Sequence, residues 1–362
     1  MLEETVKRIG PLDQAAMDRA RSHQEMLALP FWSLGRLHDI GIQLAGITGD
    51  PRPRIAEMAV VTMAGDHGVV AQGVSRFPQE VTREMVANFA RGGAAINVLT
   101  RHVGARLIVV DIGVAGPPLE IDLAGDDRLR FVPRRIGSGT ADISQGPAMT
   151  REEAVKALET GIGVFEEEKA RGLDAVGTGD MGIGNTTPSS AIAAALLGRE
   201  ASSVVNRGTG IDDDSLQNKI RMVQKILDVN RPNPDDPLDT LAKIGGFEIG
   251  GIAGVILAAC ASRTPVVIDG FISTAAALLA ARFHPEVKNY LFSGHQSAVE
   301  GHRPMLESLG LVPMVDLGMR LGEGTGAAFG LSIIAASSRI GGEMLTFEEA
   351  QVSKSDQESG PC

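Results

Sequence analysis

A carboxylate held between glycines at a strand-to-helix turn is an unusual placement, and LGEGTG (321–326) puts Glu323 there. Such a side chain serves as a solvated loop acid, as a helix-start charge favoured by the macrodipole, or as a proton acceptor aimed into a crevice. A second candidate segment is GDMGIGNTT (179–187), a glycine-rich turn feeding an alanine-rich helix. Backbone N–H groups exposed there around Gly182 and Gly184, with the Asn185, Thr186 and Thr187 side chains, make a seat for one phosphate. In RGTGIDDDSLQNKI (207–220), Asp212 to Asp214 read as a dipole-favoured helix start, and Lys219 supplies the cation that a phosphate without a metal requires. His67, His295 and His302 share no ligand spacing, so no metal site is expected.

The letters Gly177-Thr-Gly-Asp-Met-Gly182 also spell G-x-G-x-x-G, which raises a dinucleotide-binding oxidoreductase as a rival. That fingerprint needs its third glycine inside the first helical turn and an acid closing the next strand. Here helix punctuation comes later, with Thr186 or Thr187 as cap and Pro188 opening the helix. Glu200 lies at the right distance but precedes the apolar SSVV segment. No Gly-Lys-Ser/Thr follows either, which excludes a P-loop.

These residues need elements to position them. Two helical patterns occupy residues 1 to 48, and from Ile55 short apolar runs alternate with helices: AEMAVVTMAG, ARLIVVDIGV, LDAVGTGD, TPVVIDG, NYLFSGH and LVPMVDLG read as strands. The stretch from about 114 to Met149 reads as loop-rich. The pattern predicts an α/β fold with a doubly wound, mainly parallel sheet and helices on both faces. The expected organisation is a catalytic domain over 49–334, a small helical domain from 1–48 with 335–352, and a disordered tail over 353–362. In such a sheet, ligands bind beyond the carboxyl ends of the strands, where AGDHG, GDMGIGNTT, IDG, SGH and LGEGTG all fall.

The composition narrows the partners. A net charge of −11 without basic clusters argues against nucleic acid. Two cysteines without ligand or disulfide spacing, and a charged N-terminal segment unlike a signal peptide, point to the cytoplasm. IGGIAGVILAACAS is the longest apolar stretch and is too short to span a bilayer.

With these segments in order, the chain resembles the nicotinate-nucleotide:dimethylbenzimidazole phosphoribosyltransferase family of cobalamin nucleotide-loop assembly. The resemblance runs almost end to end, through SLGRL (33–37), AGDHGV (64–69), FPQEVTREMVANFARGGAAINVL (77–99), GDMGIGNTT, RGTGIDDD (207–214), GGFEIGGIAG (245–254), PVVIDGFISTAAAL (265–278), SGHQSAVEGH (293–302) and RLGEGTGAA (320–328). It implies transfer of the phosphoribosyl group of nicotinate mononucleotide to an aromatic base, with inversion at the anomeric carbon and no cofactor or Mg²⁺. It implies Glu323 as general base and Asp180 framing the reacting centre, where the family commonly has glutamate. Gly182, Gly184, Asn185, Thr186, Thr187, Gly208, Lys219 and Ser297 would surround the nucleotide phosphate, with Asp269 nearby. Phe77, Met85, Met181 and Leu321 would form the slot for the base. The resemblance further implies a homodimer, with GGFEIGGIAG a candidate contact, and PFWSLG (30–35) departs from the usual P-x-G-S-L-G. A non-catalytic nucleotide-binding protein is the remaining alternative, motivated by Asp180.

Overall fold

The computed structural model describes residues 1–123, 125–205 and 213–353. Along the chain, helices α1 (Leu2–Lys7), α2 (Gln14–Gln24) and α3 (Arg36–Thr48) precede strand β1 (Met58–Gly65). Then come α4 (Glu80–Ala90), α5 (Ala95–Val103), β2 (Arg106–Gly113), β3 (Leu129–Pro133), α6 (Arg151–Ala170), β4 (Ala175–Met181) and α7 (Thr186–Leu197). The remainder is α8 (Asp213–Asn230), α9 (Pro237–Ile244), α10 (Phe247–Ala261), β5 (Val266–Ile268), α11 (Phe271–Phe283), β6 (Leu291–His295), α12 (His302–Leu309), β7 (Pro313–Val315) and α13 (Thr325–Glu343).

The seven strands form one sheet in the order β3-β2-β1-β4-β5-β6-β7, and every pairing within it is parallel. All eight residues of β1 are buried, as an apolar run covered on both faces must be. Strand order reverses between β1 and β4, which opens a crevice beyond their carboxyl ends. This is the expected α/β architecture. No helix among the described residues is long and apolar enough to cross a membrane.

Three local readings differ from what is found. Strand β3 lies in the stretch read as loop; it pairs only with β2, and an arginine and a terminal proline obscure its pattern, as is usual for an edge strand. Helix α9 sits in the Pro/Asp-rich segment after Asn230, where the Asp236 side chain accepts the N–H groups of Leu238 and Asp239. The cap of α7 is Asn185, not a threonine, and Pro188 is the third helical residue.

Helix α10 is buried from Phe247 to Cys260, and its glycines serve packing inside the chain. A Cβ at Gly254 would strike the Leu158 carbonyl on α6, and one at Gly161 would strike that of Gly251. GGFEIGGIAG is therefore a contact with α6, and the expectation that it meets a second copy is corrected. The N-terminal helical segment meets the C-terminal one: Ala28 N–H donates to Leu345 O (2.9 Å), and Ser337 Oγ on α13 donates to Leu37 O (2.6 Å). The expected boundary at residue 334 falls inside α13, and the tail beyond Ser353 lies outside the described residues.

Two glycines two residues apart on α6 separate packing from propensity. Gly161→Ala is expected to destabilise by about 1–3 kcal/mol, because the methyl meets backbone rather than a side chain that can yield. Gly163 has open space around its Cα, so Gly163→Ala is expected to stabilise by about 0.5–1 kcal/mol. Denaturant melts of the two variants measure both signs.

Candidate active site

The crevice at the β1/β4 reversal is lined on one side by the glycine-rich turn and on the other by Gly270, His295 and Ser297. Its outer wall carries Val74, Phe77, Met181, Ile183 and Leu321. Two of these stand open, Phe77 at 49% and Leu321 at 57% exposed, which is what a wall awaiting an apolar ligand looks like. Met85 packs against the core from α4 and does not line the crevice. Gly208 lies outside the described residues.

The turn after β4 is shaped by close backbone approach. A Cβ at Gly182 would strike the Gly65 carbonyl, and Gly184 takes φ +88° against Val70. Asn185 N–H donates to Gly182 O (3.1 Å) and Thr187 N–H to Gly184 O (3.0 Å), which leaves the Gly184 and Thr186 N–H groups without a partner among the described residues. Lys219, 2% exposed, reaches across from α8 and donates to Thr186 Oγ1 at 2.7 Å. Burial alone lowers its pKa to about 8, so at neutral pH it remains an ammonium with no carboxylate beside it among the described residues. A helix start and a buried cation on one side of a crevice are an anion seat.

On the other side, Gly322, Glu323 and Gly324 all have positive φ, with Glu323 at +65°. For a non-glycine residue that conformation costs about 1–3 kcal/mol and persists only where the surroundings enforce it. Here the enforcing contacts are with β1, β4 and the end of β5. A Cβ at Gly179 would strike the Glu323 carbonyl, which accepts Thr62 Oγ1–H at 2.7 Å. Asp269, fully buried, accepts Gly324 N–H (3.0 Å), Gly326 N–H (2.7 Å) and Ala327 N–H (3.2 Å). It therefore anchors the start of α13 from behind the lining layer. Burial raises its pKa to about 7 against the pull of those three donors.

The Glu323 carboxylate, 5% exposed, accepts Ile96 N–H at the start of α5 (3.3 Å). Burial raises its pKa, and the α5 amide only partly opposes this, so the side chain is a stronger base than an exposed glutamate. Asp180, also 5% exposed, lines the crevice, and its Oδ2 accepts Asn185 Nδ2–H at 2.9 Å.

Several supporting residues had no sequence signal as such. Thr82 Oγ1 accepts Ile183 N–H (3.0 Å), so its own proton goes to Asp66 Oδ1 (2.7 Å); this relay ties the glycine turn to α4 and the end of β1. His67, considered above only as a metal ligand, pairs with Glu248 Oε1 at 2.9 Å in the core. Burial pulls its pKa down, but the Glu248 charge, the hydrogen bond to Glu248 and the Asp66 charge together outweigh that and leave it raised. His302 Nδ1 accepts Ser297 N–H (3.0 Å), which forces the ring proton onto Nε2, facing Thr274 Oγ1 at 2.9 Å. Burial drives its pKa to about 3, so it stays neutral and holds the Ser297 loop.

A family model described as phosphoribosyltransferase (DBI_PRT) matches residues 9–352. The chain belongs to this family. A Desulforudis audaxviator protein named nicotinate-nucleotide--dimethylbenzimidazole phosphoribosyltransferase is 53% identical over 354 residues, 98% of each chain. A Chloroflexus aggregans protein of the same name is 54% identical with the same coverage. The crystal structure of CobT from Thermus thermophilus superposes with a TM-score of 0.89 at 43% identity, covering 94% of this chain and 100% of that one. The dinucleotide reading is not favoured: Gly177 makes room for α13 and Gly179 for the turn before it, and Glu200 is exposed beyond α7.

Removing the Thr82 hydroxyl should loosen the turn without emptying the core. Thr82→Val is expected to speed amide exchange at Ile183 by about 10-fold or more, while Thr82→Ser preserves protection. Equal protection in both variants, read by hydrogen-exchange mass spectrometry or NMR, would dismiss the relay.

Proposed function

We propose that this enzyme moves the 5-phosphoribosyl group of nicotinate mononucleotide to a lower-ligand base of the dimethylbenzimidazole type, giving the α-riboside phosphate and nicotinate. The observation that carries the reading is one crevice with an anion seat on its β4 side and, on the opposite turn whose Leu321 and Gly322 line it, a strengthened carboxylate base buried just behind that lining. Family membership and the names of the full-length relatives support the same reaction.

In this reading the nucleotide phosphate sits at the Gly182–Thr187 turn, with Lys219 neutralising it and Ser297 closing the far side. One ring nitrogen of the acceptor attacks C1′ from the face opposite nicotinate, so configuration inverts. The C1′–N bond breaks, and its electron pair returns to the pyridinium nitrogen, which leaves neutral. The acceptor now carries a positive charge, relieved when its other ring N–H passes a proton to the Glu323 carboxylate. Phe77, Met181 and Leu321 offer the acceptor an apolar wall, which also keeps Glu323 desolvated and basic. A homodimer in the cytoplasm belongs to this reading, and the exposed Phe31 is consistent with a surface partner.

Incubation with nicotinate mononucleotide and dimethylbenzimidazole should release nicotinate; binding without release would leave the non-catalytic alternative standing. Glu323→Gln is expected to bind both substrates and lose about 10²- to 10⁴-fold in kcat.

The pH profile follows from two signs. Turnover needs Glu323 ionised, so kcat/KM rises with pH through a value above the ordinary glutamate range. Phosphate capture needs Lys219 protonated, so kcat/KM falls as pH passes about 8. Lys219→Met should raise KM for the nucleotide by about 10-fold or more and remove the alkaline limb. An unchanged limb would assign it to another group.

A further inference from the structure

Four carboxylates gather at the crevice, Asp180 in its lining and Glu323, Asp269 and Glu248 buried behind it, and their donors are unequally shared. Asp269 at the end of β5 accepts three backbone N–H groups. Glu323, on the turn before α13, accepts one at the start of α5. Glu248 on α10 is ion-paired with His67. Asp180, at the end of β4, accepts a single amide N–H from Asn185 on Oδ2, while its buried Oδ1 has no partner. Like charges this close cannot all be ionised, and a proton settles on the member least supported by donors. Asp180 and Glu323 each accept one donor, but Asp180 alone combines a buried oxygen without a partner with the lack, among the described residues, of a cation such as Glu248 has in His67. The proton therefore settles on Asp180, and because Asn185 occupies Oδ2 as a donor, it belongs on Oδ1.

A ligand group lies within reach of that proton if the proposed reading of the site holds, and this inference rests on that reading. In a nucleotide, ribose spans the distance between the phosphate and the glycosidic carbon. Asp180 spans the same interval in the protein: its side chain bonds Asn185 of the phosphate turn, and its backbone carbonyl accepts Glu323 N–H at 3.2 Å. We propose that Asp180 works as a neutral carboxylic acid, donating a hydrogen bond from Oδ1 to a ribose hydroxyl oxygen of the bound nucleotide. It is neither a second base nor an anion facing the oxocarbenium-like centre. Burial, with Asp269, Glu248 and Glu323 as the charges around it, raises its pKa well above the aspartate value, the same direction as the partnerless Oδ1 indicates.

The neutral acid has an isosteric mimic. In Asp180→Asn the amide oxygen accepts from Asn185 and the amide nitrogen donates to ribose, so both hydrogen bonds survive. Expected values of kcat/KM at pH 7 are within about threefold of wild type for Asp180→Asn and about 10- to 100-fold lower for Asp180→Ala. Asparagine as damaging as alanine would overturn the proposal in favour of a required anion, and two near-normal variants would overturn it by removing the contact. Thermal melts from pH 5 to 8 supply a readout free of turnover. A buried acid with a raised pKa binds a proton that the unfolded chain releases, so wild type loses stability as pH rises. Asp180→Asn has nothing to ionise there, so its Tm should pull ahead of wild type with increasing pH. A constant Tm difference would overturn the protonation assignment. Were wild type to release no nicotinate, the function would fall while the melts still decided the protonation state.

Discussion

The Asp269 carboxylate, sealed at the end of β5, accepts three N–H groups from the first turn of α13, and the geometry of the crevice follows from that contact. Those N–H groups would otherwise be unpaired at a buried helix start, and the carboxylate would be an unpaired buried charge. Each satisfies the other. The consequence is a fixed position for the residues just before the helix, where Gly322, Glu323 and Gly324 run through three left-handed conformations in succession. Glycine at Gly179 lets that turn lie directly on β4, and Thr62 on β1 holds its carbonyl. A strained glutamate is thereby held by three strands of the sheet at once.

Charge in the crevice is arranged by what each group can reach rather than by a tally of signs. Among the described residues Lys219 meets a hydroxyl instead of a carboxylate, although Asp180 lines the same cleft. An ammonium paired internally would have to be released before it could take an anion; one resting on Thr186 needs no such exchange. The same separation keeps Glu323 away from the cation that would weaken it as a base. His295 lies 3.5 Å from Asp269, and burial lowers its pKa, so it adds little positive charge to the acidic side.

Much of this was legible in the sequence because the determining residues are glycines and strand ends. Six of seven strands were readable as apolar runs, and Asn185, Thr186, Lys219 and Ser297 do come together around one crevice. What could not be read was support acting across elements. Thr82 looks like any polar residue on an amphipathic helix until Ile183, 101 positions away, donates to it. His302 looked like a stray ligand because a tautomer is set by a partner, here the Ser297 amide, that only the fold supplies. Strand β3 was lost for a related reason: an edge strand with one partner lacks the apolar signature of its neighbours.

The strand order itself matches that of dinucleotide-binding sheets at the reversal, so topology alone would have favoured the wrong ligand. What separates them is where the glycines fall. In the dinucleotide fold the glycine turn follows the first strand, and its helix begins at once, leaving room for a pyrophosphate. Here the turn follows β4, and it is braced on two sides before any ligand arrives, by Thr82 from α4 and by Asp180 through the Asn185 side chain. A turn so braced loses little entropy on taking a phosphate. The letters G-x-G-x-x-G are therefore the by-product of separate demands: Gly177 admits α13 against the sheet, Gly179 admits the turn before it, and Gly182 admits the backbone of β1.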